Sequence, residues 1–127
     1  MKKITVLLLA LLLLTGCGAG QASPAFRQIS QQEAADIMAS QEDFIILDVR
    51  TPEEYAQGHI VGAVNLPNET IGTQEIPLLP RKDQTILVYC RSGNRSKQAS
   101  RKLADLGYTE VLEFGGINTW EGPIVTD

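Results

Sequence analysis

Two short apolar runs, Phe44-Ile45-Ile46-Leu47-Asp48-Val49 and Thr85-Ile86-Leu87-Val88-Tyr89, each lead within a few residues into helix-opening chemistry. Unbroken, β-branched runs of this length suit strands buried on both faces of a parallel sheet, and the first reads as a central strand. Parallel neighbours need a crossover between them, so helices must alternate with strands along the chain. The intervening segments supply those helices. Ser30-Gln31-Gln32-Glu33 is a capping box, followed by Ala34, Ile37 and Met38 at helical spacing, which predicts a helix to about residue 40. Thr51-Pro52-Glu53-Glu54 is a second box with proline at the first helical position, and its short helix stops at Gly58. Residues 63–66 read as a short strand and 68–80 as loop, with at most a turn or two of helix about 73–79. From 94 to 106, Ala99, Leu103 and Leu106 mark one apolar stripe, and Gly107 is placed as the left-handed stop. Residues 109–114 form another strand, Gly115-Gly116 is expected to break it, and 117–120 make a final helical turn. The order implies an α/β fold, a parallel sheet flanked by helices on both faces.

In such sheets ligands sit beyond the carboxyl ends of strands, and Cys90 stands at one, followed by Arg91-Ser92-Gly93-Asn94-Arg95-Ser96. A strand-to-helix turn favours a thiolate through the helix dipole and unpaired N–H groups. Arg91 and Arg95 are expected to lower the thiol pKa further and to hold an anionic substrate at the same spot.

The first seventeen residues read as an export signal: Met1-Lys2-Lys3, an apolar run over residues 4–14, then Leu14-Thr15-Gly16-Cys17. The run is far shorter than the roughly 20 residues that span a bilayer. Leu-Thr-Gly-Cys resembles the lipobox of bacterial lipoproteins, which implies removal of 1–16 and a lipid on Cys17; cleavage of an ordinary secretory signal near Ala22 is the alternative. If Cys17 begins the mature chain, losing Lys2 and Lys3 takes the formal charge from −4 to −6. A single domain at 26–127, behind a short tether at 17–25, fits that length. The acidic balance, without basic runs, gives nucleic acid no footprint. With Cys17 lipidated, Cys90 has no disulfide partner, and an unpaired thiol outside the cytosol calls for a use, an inert buried cysteine being the bland alternative.

Three segments then resemble the rhodanese family of sulfurtransferases, over about residues 28–125. Leu47-Asp48-Val49-Arg50-Thr51-Pro52-Glu53-Glu54-Tyr55, continuing through Gly58-His59-Ile60-Val61-Gly62-Ala63-Val64-Asn65-Leu66-Pro67, is similar to its first signature. Tyr89-Cys90-Arg91-Ser92-Gly93-Asn94-Arg95-Ser96 resembles its active-site loop, and Gly115-Gly116-Ile117-Asn118-Thr119-Trp120 its closing motif. The resemblance implies a five-stranded parallel sheet and a persulfide on Cys90. It further implies transfer of a sulfane sulfur from a donor such as thiosulfate to cyanide, a thiol or a protein acceptor, with no cofactor. Arg95 would stabilise developing charge and Arg91 would attract the donor from the rim. The main-chain N–H groups of Arg91, Ser92, Gly93, Asn94, Arg95 and Ser96 would cradle the anion. A second class of reading is a tethered persulfide carrier or anion-binding module with little turnover. Related cysteine phosphatases resemble C-x5-R, whereas here Arg95 is five residues after Cys90 and Ser96 six, a shorter loop that favours sulfur. The spacing from Trp120 to Gly122-Pro123 is also shorter than the family pattern.

Arg50 is a candidate anion contact, while Asp48 is expected to fix the loops as an acceptor of backbone N–H bonds; a structural role suits Arg50 as well. His59, the only histidine, reads as a satisfied turn residue, because an ionised thiol needs no base. No metal site is expected. Trp120 and Tyr55 read as core or pocket-wall aromatics, Glu33, Glu53 and Glu54 as capping residues, and Ser96 as a cap, a sulfur contact or both. The expected location is extracytoplasmic, anchored through the lipid on Cys17.

Overall fold

β5 (Thr85–Cys90) forms the middle of a five-stranded sheet and is buried from Ile86 through Cys90. A computed structural model describes residues 25–126; the signal and lipidation readings at 1–17 and most of the tether lie outside them. Around β5 the order is β1 (Arg27–Gln28), β6 (Glu110–Gly116), β5, β2 (Phe44–Asp48), β4 (Val64–Asn65), with every pair parallel. The expected sheet is therefore present, with β2 one position from its centre.

Alternation along β5 divides the core. Ile86, Val88 and Cys90 face α3 (Asn94–Asp105), meeting Ala99 and Leu103, while Leu87 and Tyr89 face the opposite layer. That layer is built from α1 (Gln31–Ser40) through Ala34, Ile37 and Met38, and from α2 (Pro52–Ala56) through Tyr55. Burial of each large apolar side chain contributes roughly 1.5–3 kcal/mol, and both faces of one sheet collect it.

Thr51 caps α2 as read, with the reciprocal capping box complete and Pro52 at its start. At α1 only half of the box forms. Ser30 accepts from the Glu33 N–H, while the Glu33 carboxylate takes the Ser30 hydroxyl at 3.4 Å instead of reaching the backbone. The helical turn expected at 73–79 lies instead at Asn68–Thr70. Pro77 and Pro80 disfavour helical conformation in the residues before them, whereas Asn68 is gripped by α3 through Lys102 Nζ and Gln98. The glycine pair does not break the last long strand, because β6 runs through Gly116 to a 3₁₀ turn at Ile117–Thr119. A short antiparallel pair went unread: β3 (His59–Ile60) with β7 (Ile124–Val125). It secures the shortened C-terminal segment, in which Gly122 packs so closely that a Cβ there would lie 2.6 Å from Trp120 Nε1.

Candidate active site

The turn from β5 into α3 has no side-chain cap. Gly93 occupies the N-cap position at φ 110°, left-handed space that a side chain resists, and its conformation turns the first helical N–H groups toward the preceding strand end. There they meet sulfur. The Gly93 N–H donates to Cys90 Sγ at 3.0 Å, and the thiol points at Ser96 Oγ at 3.4 Å. Cys90 is 1 % exposed.

β6 passes directly beneath this loop. Cys90 is in register with Gly116 after a bulge between Val88 and Cys90, and a Cβ on Gly116 would stand 2.1 Å from the Arg91 carbonyl oxygen. Only a glycine strand fits there, which is why β6 continues where a break was expected.

Burial pushes the Cys90 thiol up. The Ser96 hydroxyl and the main-chain N–H groups of Ser96, Gly93 and Ser92 outweigh that, and the thiol lies below its ordinary value. Those groups, not the guanidiniums, lead the effect. Arg95 turns to α2, where it grips the Glu54 carboxylate at 2.7 and 3.0 Å, and the Cys90 charge acts on it less strongly than Glu54 does. Arg91 and Asn94 are exposed at the rim with Ser92. Ser96 is fully buried and makes the sulfur contact, but it does not cap the helix: its hydroxyl donates back to the Gly93 carbonyl at 2.9 Å and caps no N–H group of α3.

Asp48 and Arg50 end β2 beside the loop. Asp48 accepts from the Arg50 N–H at 3.0 Å, from Arg50 Nη2 at 2.6 Å and from the Tyr89 hydroxyl at 2.6 Å. Burial works against the Arg50 charge, but the Asp48 carboxylate more than offsets it, so the guanidinium pKa is raised. Arg50 Nη2 also donates to the Gly58 carbonyl at 2.7 Å. Arg50 and Arg91 line one recess of about 300 Å³ with Glu54, Ile117 and Asn118. His59 is buried and stacks on Tyr55 at 3.7 Å, with Nδ1 2.9 Å from the Tyr55 carbonyl oxygen. Trp120 packs on Phe114.

Glu113 was missed. Its carboxylate, 3 % exposed, takes the Ser96 hydroxyl at 2.8 Å and the Gly115 N–H at 2.9 Å. A signal for it existed: an acidic residue on the otherwise apolar run Val111-Leu112-Glu113-Phe114.

The class of fold so defined is a parallel α/β domain that aims helix-start N–H groups at a cysteine ending its central strand. The chain belongs to the rhodanese-like domain family, whose match covers residues 30–122, and residues 1–17 match the prokaryotic membrane lipoprotein lipid attachment site. It is 41% identical over 71 residues to "Thiosulfate sulfurtransferase PspE" of Escherichia coli, covering 56% of this chain and 68% of that protein. A protein named "Sulfurtransferase" from Allochromatium vinosum is 42% identical over 96 residues, 73% of this chain and 86% of its own length. Among solved structures, "rhodanese with anions from E. coli" superposes with a TM-score of 0.61 at 37% identity, over 66% of this chain and 99% of that one.

Proposed function

We propose that the domain is a sulfurtransferase in which Cys90 carries the sulfur as a persulfide. The observation that carries this reading is one buried sulfur held between the Gly93 N–H, which donates to it at 3.0 Å, and Ser96 Oγ at 3.4 Å, at the head of a C-x4-R loop one residue shorter than the loop that cradles a tetrahedral phosphate. The Cys90 thiolate attacks the outer sulfur of a thiosulfate-like donor. The donor's S–S bond breaks, sulfite leaves with the electron pair, and the persulfide anion stays under the N–H groups of the loop. Cyanide or a thiolate then takes the outer sulfur and returns the thiolate. Arg91 at the rim, with Arg50 in the recess they share, draws in the dianionic donor; Arg95, braced by Glu54, completes the positive rim. Names of relatives support the same chemistry. The N-terminal match supports a mature chain beginning at Cys17, acylated with chains such as palmitate, which tethers the domain outside the cytoplasm.

The test uses the full chain in detergent, with thiosulfate and cyanide. We expect thiocyanate formation that is abolished in Cys90→Ser, and donor alone should add about 32 Da per chain. A mass gain with negligible discharge would make the domain a carrier for a protein acceptor. Cys90-dependent hydrolysis of an aryl phosphate would make it a phosphatase, and no adduct with no thiocyanate would end the sulfur reading.

A further inference from the structure

Gln31, the first residue of α1, belongs to none of the three segments that mark the family, yet both hydrogens of its side-chain amide go to the third. Nε2 donates to the Gly116 carbonyl at 2.9 Å and to Thr119 Oγ1 at 3.0 Å, and the Thr119 hydroxyl donates to that same carbonyl at 3.3 Å. The 3₁₀ turn at Ile117–Thr119 has no side-chain cap of its own, and Gly115 and Gly116 before it carry no side chain to pack it in place. An amide from another element supplies the brace.

The braced turn reaches the active-site loop. Its Asn118 N–H donates to the Arg91 carbonyl at 3.2 Å, the same carbonyl that Gly116 approaches so closely. In a trans peptide the carbonyl and the following N–H point in opposite directions, and no described peptide is cis. Holding the Arg91 carbonyl toward the turn therefore directs the Ser92 N–H away from it, to the sulfur side, where it is one of the groups that bring the Cys90 thiol below its ordinary value. We propose that Gln31 is a positioning residue for the anion cradle: by locking the 116–119 turn it holds the Arg91 carbonyl outward and keeps the Ser92 N–H aimed at Cys90. The charged groups about the sulfur are placed by other partners. Arg95 is bound to Glu54 and Arg50 to Asp48, Arg91 is exposed at the rim, and Glu113 takes the Ser96 hydroxyl. Lys97 of α3 shares with Gln31 and Glu113 a recess of about 440 Å³. Gln31 itself is neutral, so a neutral replacement acts on the thiol through the turn and not through a change of charge.

This inference rests on Cys90 being the nucleophile, but its readout is alkylation of the thiol with no donor present, so its failure leaves sulfur loading of the wild type by mass as a separate result. Iodoacetamide rates of the full chain in detergent are measured across the thiol titration. Gln31→Met keeps the length of the side chain and removes its hydrogens, while Thr119→Val keeps the shape and removes one acceptor. We expect the Gln31→Met profile to move to higher pH, with the rate near neutrality lower by about three- to tenfold and the plateau at high pH recovered. Thr119→Val should move it in the same direction by less, and decides the matter if Gln31→Met does not fold. Gln32→Met is the control: that amide donates to Asp36 within α1, and its profile should match the wild type. A folded Gln31→Met whose profile coincides with the wild type, even with thermal stability lost, makes Gln31 a structural tie between α1 and β6 and overturns the proposal. So does an equal shift in Gln32→Met, or, where only Thr119→Val folds, a profile it leaves unmoved.

Discussion

Glu54 holds Arg95 in two parallel hydrogen bonds of 2.7 and 3.0 Å while the same carboxylate accepts the Thr51 N–H at 3.3 Å and the Thr51 hydroxyl at 3.2 Å. One acidic side chain thus closes the start of α2 and fixes the first turn of α3. The arginine of the loop is positioned from outside the loop, and its guanidinium reaches the rim already oriented and partly neutralised.

That arrangement sets an acid dependence. Arg95 first, and the Thr51 N–H after it, bring the Glu54 carboxyl from 4.5 to about 2, so the folded chain binds that proton less readily than the unfolded one. The pair's contribution is full above the unfolded value of 4.5 and fades as pH falls through about 2. Urea midpoints measured across that interval should slope downward in the wild type. Glu54→Gln should lose about 1 kcal/mol at neutral pH, the partly exposed pair being screened, and should flatten the slope. An unchanged slope would show that Arg95 is not bound to Glu54 in solution.

The Ser96 hydroxyl leads the groups that lower the Cys90 thiol. Ser96→Ala keeps the main-chain donors and removes that one, so the thiol pKa should rise. Alkylation by iodoacetamide at neutral pH should slow by about tenfold for each unit of rise, with the rate recovered at higher pH. A rate equal to wild type across the whole profile would count against the hydroxyl's role.

Gly116→Ala places a methyl where 2.1 Å separates it from the Arg91 carbonyl oxygen, a contact between two backbones with no flexible side chain to yield. The loop must lift or β6 must shift. We expect a loss of about 1–3 kcal/mol in stability and a slower Cys90 alkylation, since the Gly93 N–H moves off the sulfur. Gly107→Ala supplies the control. It has a positive φ of 98° but open space around it, so it should cost stability and leave Cys90 reactivity as it was.

Much of this layout is legible in residue order because local chemistry and tertiary structure agree there. The apolar runs became β2 and β5, the Thr51 box opened α2, and Gly107 ended α3 in left-handed space at φ 98°. What sequence left hidden depends on contacts distant along the chain. Arg95 faces Glu54 across 41 positions, and no local pattern tells a guanidinium whether sulfur or carboxylate will be nearer. The persistence of β6 through Gly116 is likewise a property of the loop above it. β1, β3 and β7 are two residues each, too short for any periodicity to register.

Asp48 is fully buried and gathers Arg50 and Tyr89, whose hydroxyl also accepts the Ile60 N–H at 3.1 Å. A buried ion pair of this kind adds little net stability while intact, because desolvation offsets attraction, but removing one partner strands the other. Asp48→Ala leaves a buried guanidinium with one carbonyl partner at Gly58 and a phenol with no acceptor. The expected loss is about 3–5 kcal/mol in urea unfolding. Tyr89→Phe strands only the Ile60 N–H and one lone pair of Asp48, and should cost about 1–3 kcal/mol. Because both variants act on one network, the double variant should lose less than the sum of the two. Strict additivity would mean that the tyrosine and the aspartate stabilise the β2 and β5 ends independently, contrary to the 2.6 Å bond between them.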